Sequence, residues 1–308
     1  MQYPLRLVYC LQLCVLWIGF VSFLIGQESR SSAPLISGNT FRSYANHVFD
    51  QTTQQFHPEN VQRGDIIFVK TDWDYLECFF TKHHPKIQHP YVLLTHNSDH
   101  SAPGPFRVYL DSPLILAWFA QNIEGEPHSK LYHLPIGIAN RCWEHGNPAV
   151  FWHWLSKAQN KQRPYLCYLN FAPSTYPEER GPVWDLFAQQ AWCKTAQRTR
   201  LPSYLQDLSR SQFVISPRGN GLDCHRTWEA LLMGAIPIVR TSSLDPLFAE
   251  LPVLIVEDWN VISESFLNQQ LELIKHKTYA SDKLFIHYWI KEIRQKAGIS
   301  KQPEESGI

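Results

Sequence analysis

The chain holds 308 residues, 44% apolar and 18% charged, which is enough for two hydrophobic cores and too apolar for general disorder. Lys plus Arg and Asp plus Glu each number 28, so a formal charge of zero gives no diffuse attraction to nucleic acid or an anionic membrane surface. Any anionic ligand has to be held by local groups.

From Leu7 to Ile25 only Gln12 and Ser22 clearly interrupt an apolar run, and about 19 residues of helix match the hydrocarbon thickness of a bilayer. Residues 1–26 therefore read as an uncleaved signal-anchor. The competing reading is a cleaved signal peptide, whose apolar core is shorter and whose small-x-small site is missing before Gln27. Arg6 alone precedes the span, a weak charge bias for a cytosolic N-terminus. Residues 27–40, rich in Ser, Gly and polar residues, read as a stem.

Beyond the stem, β-branched and aromatic runs predict strands at Asp65–Lys70, Tyr91–Thr95, Leu131–Ile138, Tyr165–Asn170, Phe213–Ser216, Ile236–Val239 and Val253–Val256. Longer patterns predict helices at Pro113–Asn122, Ala149–Gln159, Pro182–Ala191, Leu222–Met233 and Val261–Lys275. The alternation makes the chain α/β with mainly parallel sheets. The polar stretch Ser156–Pro164 divides it into residues 41–160 and 161–280. Residues 281–308 hold a last helix, roughly Asp282 to Lys296, and a polar tail. Of seven cysteines, five lie beyond the span without CxxC spacing, against a zinc site or a disulfide-dense scaffold, with one or two bridges left open.

The most informative stretch runs from Phe213 to Val239: strand, turn with Gly219 and Gly221, helix, Gly234 stop, strand. The glycines permit close backbone approach, and the helix start presents free N–H groups and a positive dipole end, a geometry that favours a phosphate. On a helical wheel Cys224, Trp228, Leu231 and Leu232 share one arc, while Asp223, His225, Arg226 and Glu229 lie opposite. Arg218 and Arg226 have the fork geometry that clamps a diphosphate, and Glu229 suits the hydroxyls of a ribose. The plainer alternative makes Asp223 an N-cap and Arg226–Glu229 a surface pair.

The pattern Ser216-Pro-Arg218-Gly219-x-Gly221-x-Asp223-x-x-Arg226-x-Trp228-Glu229-Ala-Leu-x-x-Gly234-x-Ile236-Pro-Ile-Val239 resembles the donor-binding region of exostosin-like glycosyltransferases. The resemblance implies a GT-B fold, two Rossmann-like domains facing a cleft, with residues 41–160 facing the acceptor and 161–280 holding a nucleotide-sugar. It implies sugar transfer to a glycan or other hydroxyl acceptor, with no cofactor and no metal, since Arg218, the helix dipole and neighbouring donors would stabilise the leaving diphosphate. Anchor and stem match the single-pass type II arrangement common in the family, placed in the Golgi in a eukaryote. Arg218, Asp223, Arg226 and Glu229 carry over as donor-binding residues, beside Gly219 and Gly221.

In the same frame Asn170, at a strand end, and Arg180 are donor-side residues or else a turn former and a surface charge. His96 and Asp99 follow the Tyr91 strand; one of them takes the acceptor proton, or His96 bonds a loop carbonyl and Asp99 caps a turn. Asp72-Trp73-Asp74 reads as a helix start rather than a metal site. The rival function is a carbohydrate-binding or scaffold protein that keeps the fold without turnover. A dehydrogenase lacks its G-x-G-x-x-G turn here.

Overall fold

The computed structural model describes residues 30–158 and 162–298. The anchor assigned to residues 1–26 and the polar tail from residue 299 onward therefore lie outside the described residues. Among the described residues no helix is long and apolar enough to cross a membrane.

Strands β1 (His47–Phe49), β2 (Ile66–Lys70), β3 (Tyr91–His96), β4 (Ile115–Ala120) and β5 (Leu131–His133) form one parallel sheet in the order β1-β2-β3-β4-β5. Strands β6 (Tyr165–Leu169), β7 (Cys193–Thr195), β8 (Ser211–Ile215), β9 (Ile236–Arg240) and β10 (Leu254–Val256) form a second parallel sheet, ordered β10-β9-β8-β6-β7. The helices in chain order are α1 (Gly38–Ser43), α2 (Trp73–Cys78), α3 (Pro148–Ala158), α4 (Pro177–Phe187), α5 (Leu201–Ser209), α6 (His225–Leu232), α7 (Asp245–Phe248), α8 (Glu264–Lys275) and α9 (Ile286–Lys296). The expected α/β architecture of two parallel sheets is present.

The two sheets are wound differently. In the first, every crossover steps in one direction, so right-handed connections all fall on one face. There Leu76, Phe79, Phe80 and Leu110 cover Ile67, Val69, Leu93 and Trp118. The opposite face, with Phe68, Leu94 and Phe119, has no crossover helix of its own. Phe41 of α1 and Trp289, Ile290 and Ile293 of α9 close it, so the last helix returns from the second sheet to complete the first core. The second sheet is doubly wound: the chain builds outward from β6 to β7, then reverses to β8, β9 and β10. In such sheets ligands bind beyond the carboxyl ends of the strands flanking the reversal, here β6 and β8.

Three expectations are corrected. Pro113–Asn122 is not helical; it contains β4, whose run Ile-Leu-Ala-Trp-Phe-Ala is almost wholly buried between β3 and β5. A continuous apolar run has no period that separates a buried strand from a buried helix, and its neighbours decide. Residues 31–40 are packed rather than stem-like: Leu35 and Ile36 are buried, and Ser37 caps α1 by accepting the Thr40 N–H. Helix α3, placed in the first half by the sequence, packs Phe151 against Leu205 and Leu208 beside the second sheet, so the domain change precedes Pro148. The five described cysteines are free.

Candidate functional site

A cavity of about 640 Å³ opens at the reversal point between β6 and β8, within the usual size of a small-molecule cleft. The loops after β6 and β8 and the start of α6 line it, and the first domain contributes Asp99, Ile136 and His145.

The loop from Ser216 to Cys224 delays the helix, so α6 begins at His225 rather than Leu222. The cause is Asp223. Its carboxylate accepts the Ile136 N–H at 2.8 Å, the Cys224 N–H at 2.9 Å and the Trp228 indole N–H at 2.9 Å, while its own N–H donates to Asn122 Oδ1 at 2.9 Å. Asp223 is 4% exposed and lines the cavity, and its carboxylate bonds tie the start of α6 to the first domain. Burial pushes its carboxyl up to about 7, opposed by the three N–H donors. Gly221 is needed for close approach, since a Cβ there would lie 2.6 Å from Asn122 Nδ2. Gly234, with φ +73°, ends α6, and the Ala235 N–H returns to Ala230 O at 2.9 Å, closing the helix as the sequence predicts.

Two guanidinium groups stand at the cavity. Arg226 donates through Nε to Asn170 O at 2.9 Å, and Arg180 donates through Nε to Arg218 O at 2.7 Å and through Nη1 to Ala172 O at 3.2 Å. Both lie near the Phe171 ring, at 5.2 Å and 5.6 Å. Among the described residues neither has a carboxylate oxygen within 4.0 Å. Arg180 is 6% exposed, and burial together with the neighbouring Arg226 charge holds its guanidinium below the usual range. Two adjacent cations, held by backbone carbonyls and without a carboxylate ion pair, thus stand beside the first turn of α6, which has no side-chain cap, a combination that favours an anion.

Arg218 takes another place. Its guanidinium donates to Gly219 O and Asn220 O and stacks 4.7 Å over Tyr176, and it does not line the cavity. Its backbone carbonyl instead positions Arg180. Glu229 lines the cavity as expected and is 5% exposed, accepting the Tyr204 hydroxyl at 3.0 Å. Burial raises its carboxyl to about 7 against the Tyr204 bond and the Arg226 charge. Asn170 reaches the cavity too, its amide nitrogen donating to Tyr168 and Thr199 hydroxyls. Gly219 lines the wall beside Arg180, where a Cβ would sit 3.0 Å from Nη2.

The expected bases separate. Asp99 is exposed at the cavity rim, its Oδ2 3.4 Å from the Asn220 amide. His96 is 1% exposed and does not line the cavity. Its Nδ1 accepts the Asn97 N–H at 2.7 Å and Nε2 donates to Pro135 O at 3.1 Å, so both nitrogens are committed, and burial lowers its pKa to about 4. That is the loop-carbonyl alternative, and it corrects the catalytic one. His225 and His145 were assigned no role from sequence, although both line the cavity; His225 was visible on the polar arc of the helix. Asp72 precedes α2 as expected, holding Lys70 at 2.6 Å and Ser98 at 2.6 Å. Among the described residues no group of three or more His, Cys, Asp or Glu is arranged to hold a metal.

Residues 148–298 match the family model described as the RXYLT1 C-terminal domain. No curated protein matches the chain. Similar solved structures include TarM, with 10% identity, a TM-score of 0.39, and coverage of 74% of this chain and 54% of that one. A glycosyltransferase from Rickettsia africae ESF-5 gives 10% identity and 0.38, with 75% and 76% covered. An α1,3-fucosyltransferase with GDP-fucose gives 10% identity and 0.37, with 83% and 95% covered. The chain thus spans about half the length of TarM. At such scores these likenesses carry no argument, and the architecture rests on the strand order above. The family match begins at α3, where the structure places the change of domain, and includes the whole motif from Phe213 to Val239. The resemblance to exostosin-like glycosyltransferases therefore holds over residues 148–298, and the C-terminal half of this chain is similar to the RXYLT1 C-terminal domain.

Proposed function

We propose that the chain is a glycosyltransferase that moves a sugar from a nucleotide-sugar donor to a hydroxyl of a glycan or other acceptor. The observation that carries this reading is the Arg180–Arg226 pair, two guanidiniums without a carboxylate partner at the reversal point of the second sheet. Holding two like charges side by side near the protein interior is costly unless an anion completes the site. A diphosphate supplies that charge and matches the guanidinium forks. Glu229, steadied by Tyr204, would accept from the ribose hydroxyls, and the first-domain wall with Asp99 and His145 would face the acceptor.

As the sugar departs, negative charge develops on the leaving diphosphate. Arg180, Arg226 and the α6 dipole are preorganised at that place, which supports transfer without a metal. On this reading, adding a chelator to a transfer assay leaves the rate unchanged; a rate that collapses and returns with a divalent cation would refute the metal-independent form.

The full chain is tested by thermal shift against nucleoside diphosphates and nucleotide sugars. A diphosphate at about 100 times its Kd stabilises by about 2.7 kcal/mol, a rise in Tm of roughly 4 °C for a chain of this length. No shift with any nucleotide sinks the donor site. The non-enzymatic reading, a binding protein of the same fold, is separated by whether bound nucleotide sugar is turned over to nucleoside diphosphate.

A further inference from the structure

Transfer to a hydroxyl needs a group to receive the acceptor proton, and His96 has no free nitrogen for it. His225, the first residue of α6, does. Its Nδ1 lies 2.8 Å from the carbonyl oxygen of Gly137. A carbonyl only accepts, so Nδ1 carries the hydrogen and Nε2 keeps its lone pair. Among the described residues Nε2 has no partner, and the ring lines the cavity next to Arg226. The tautomer is thus fixed by first-domain backbone, 88 positions away in sequence, across the junction that Asp223 also holds. The His145 ring lies 6.5 Å from His225 and 6.4 Å from Trp143, whose ring is 61% exposed, so an aromatic run leads from His225 to the surface.

We propose that His225 is the catalytic base of the transfer, an assignment that rests on the glycosyltransferase reading. The acceptor oxygen forms its bond to the donor sugar carbon while its proton passes to Nε2. The bond from that carbon to the diphosphate oxygen breaks, and the electron pair leaves with the nucleoside diphosphate beside Arg226 and Arg180. Burial lowers the imidazole pKa to about 4, with His145, Asp99 and Arg226 the charged or titratable groups around it. The free ring is therefore neutral, the state that accepts a proton, and a bound diphosphate favours the imidazolium as it forms.

The test follows nucleoside diphosphate release from a nucleotide sugar by the full chain, with water as the acceptor, for the donor giving the largest thermal shift. His225→Gln and His225→Ala are each expected to release at least 100-fold more slowly, the usual lower bound for a general base, with the diphosphate-induced melting shift retained. Diethyl pyrocarbonate, which acylates free imidazole nitrogens, is expected to modify His225 and not His96 when sites are mapped by mass spectrometry, a readout independent of turnover.

The assignment is overturned if the variants keep the wild-type rate or lose the melting shift together with the rate. It is overturned equally if Asp99→Asn and not His225→Gln abolishes release, if His225 is unreactive, or if the wild-type chain binds diphosphate but releases none from any nucleotide sugar. Failure of every nucleotide to shift the wild type instead removes the donor site itself.

Discussion

Arg226→Ala is expected to weaken nucleoside diphosphate binding by about 10- to 100-fold, because a hydrogen bond to a charged group contributes about 1.5–3 kcal/mol and each 1.4 kcal/mol is tenfold in affinity. Isothermal calorimetry on the full chain reads this directly. Arg226→Lys is expected to recover little, since an ammonium is a point charge that cannot hold Asn170 O and grip two phosphate oxygens with a planar fork. Arg180→Ala is expected to lose comparable affinity and also to lower Tm, because Arg180 bonds Arg218 O and Ala172 O and lies 3.7 Å from Cys224 Sγ. Arg218→Ala is the discriminating control. Its guanidinium is turned to the loop's own carbonyls and Tyr176, so affinity should change by less than about threefold, within the range of surface substitutions. Equal losses at Arg218 and Arg226 would contradict the geometry of the site.

Asp223→Ala is expected to be among the most destabilising single substitutions in the chain. It leaves the Ile136 N–H, the Cys224 N–H and the Trp228 indole N–H without their acceptor in a buried junction. Each orphaned donor costs about 1–3 kcal/mol, so the total is several kcal/mol and the fall in Tm on the order of 10 °C.

The loss should depend on pH with a definite sign. Because the folded pKa of Asp223, about 7, lies above the ordinary 3.8, the stability tied to its proton is fully present below pH 3.8 and is lost as pH rises to about 7. Wild-type chain gains less from this group at pH 8 than at pH 5, and the penalty for Asp223→Ala should be larger at pH 5. Thermal melts of both proteins at the two pH values check it; a penalty that grows with pH would mean that the carboxylate is favoured in the folded state.

The run from Phe213 to Val239 was legible because its signals are local. Glycine spacing, a helical polar arc with Arg226 and Glu229, and Gly234 at a helix end depend on residues within a few turns of one another. The alternation of strands and helices was legible for the same reason and gave the α/β class. Where a signal depends on a remote partner, the sequence was silent or misleading. Ile115–Ala120 became a strand because β3 and β5 flank it. His96 was committed by a carbonyl 39 residues away, and the Asp223 carboxylate was bonded by an N–H 87 residues away. Arg180 entered the site from α4 because Arg218 O, 38 residues on, receives its Nε, while the Arg218 side chain turned aside.

Sequence by itself determined the class of fold and the segment that lines the cavity, since periodicity and turn chemistry are short-range. Only tertiary structure decided which arginines, carboxylates and histidines reach the cavity. Burial and hydrogen-bond pairing are set by contacts between segments far apart in the chain, and those contacts place Arg226, Arg180, Glu229 and His225 at the cavity.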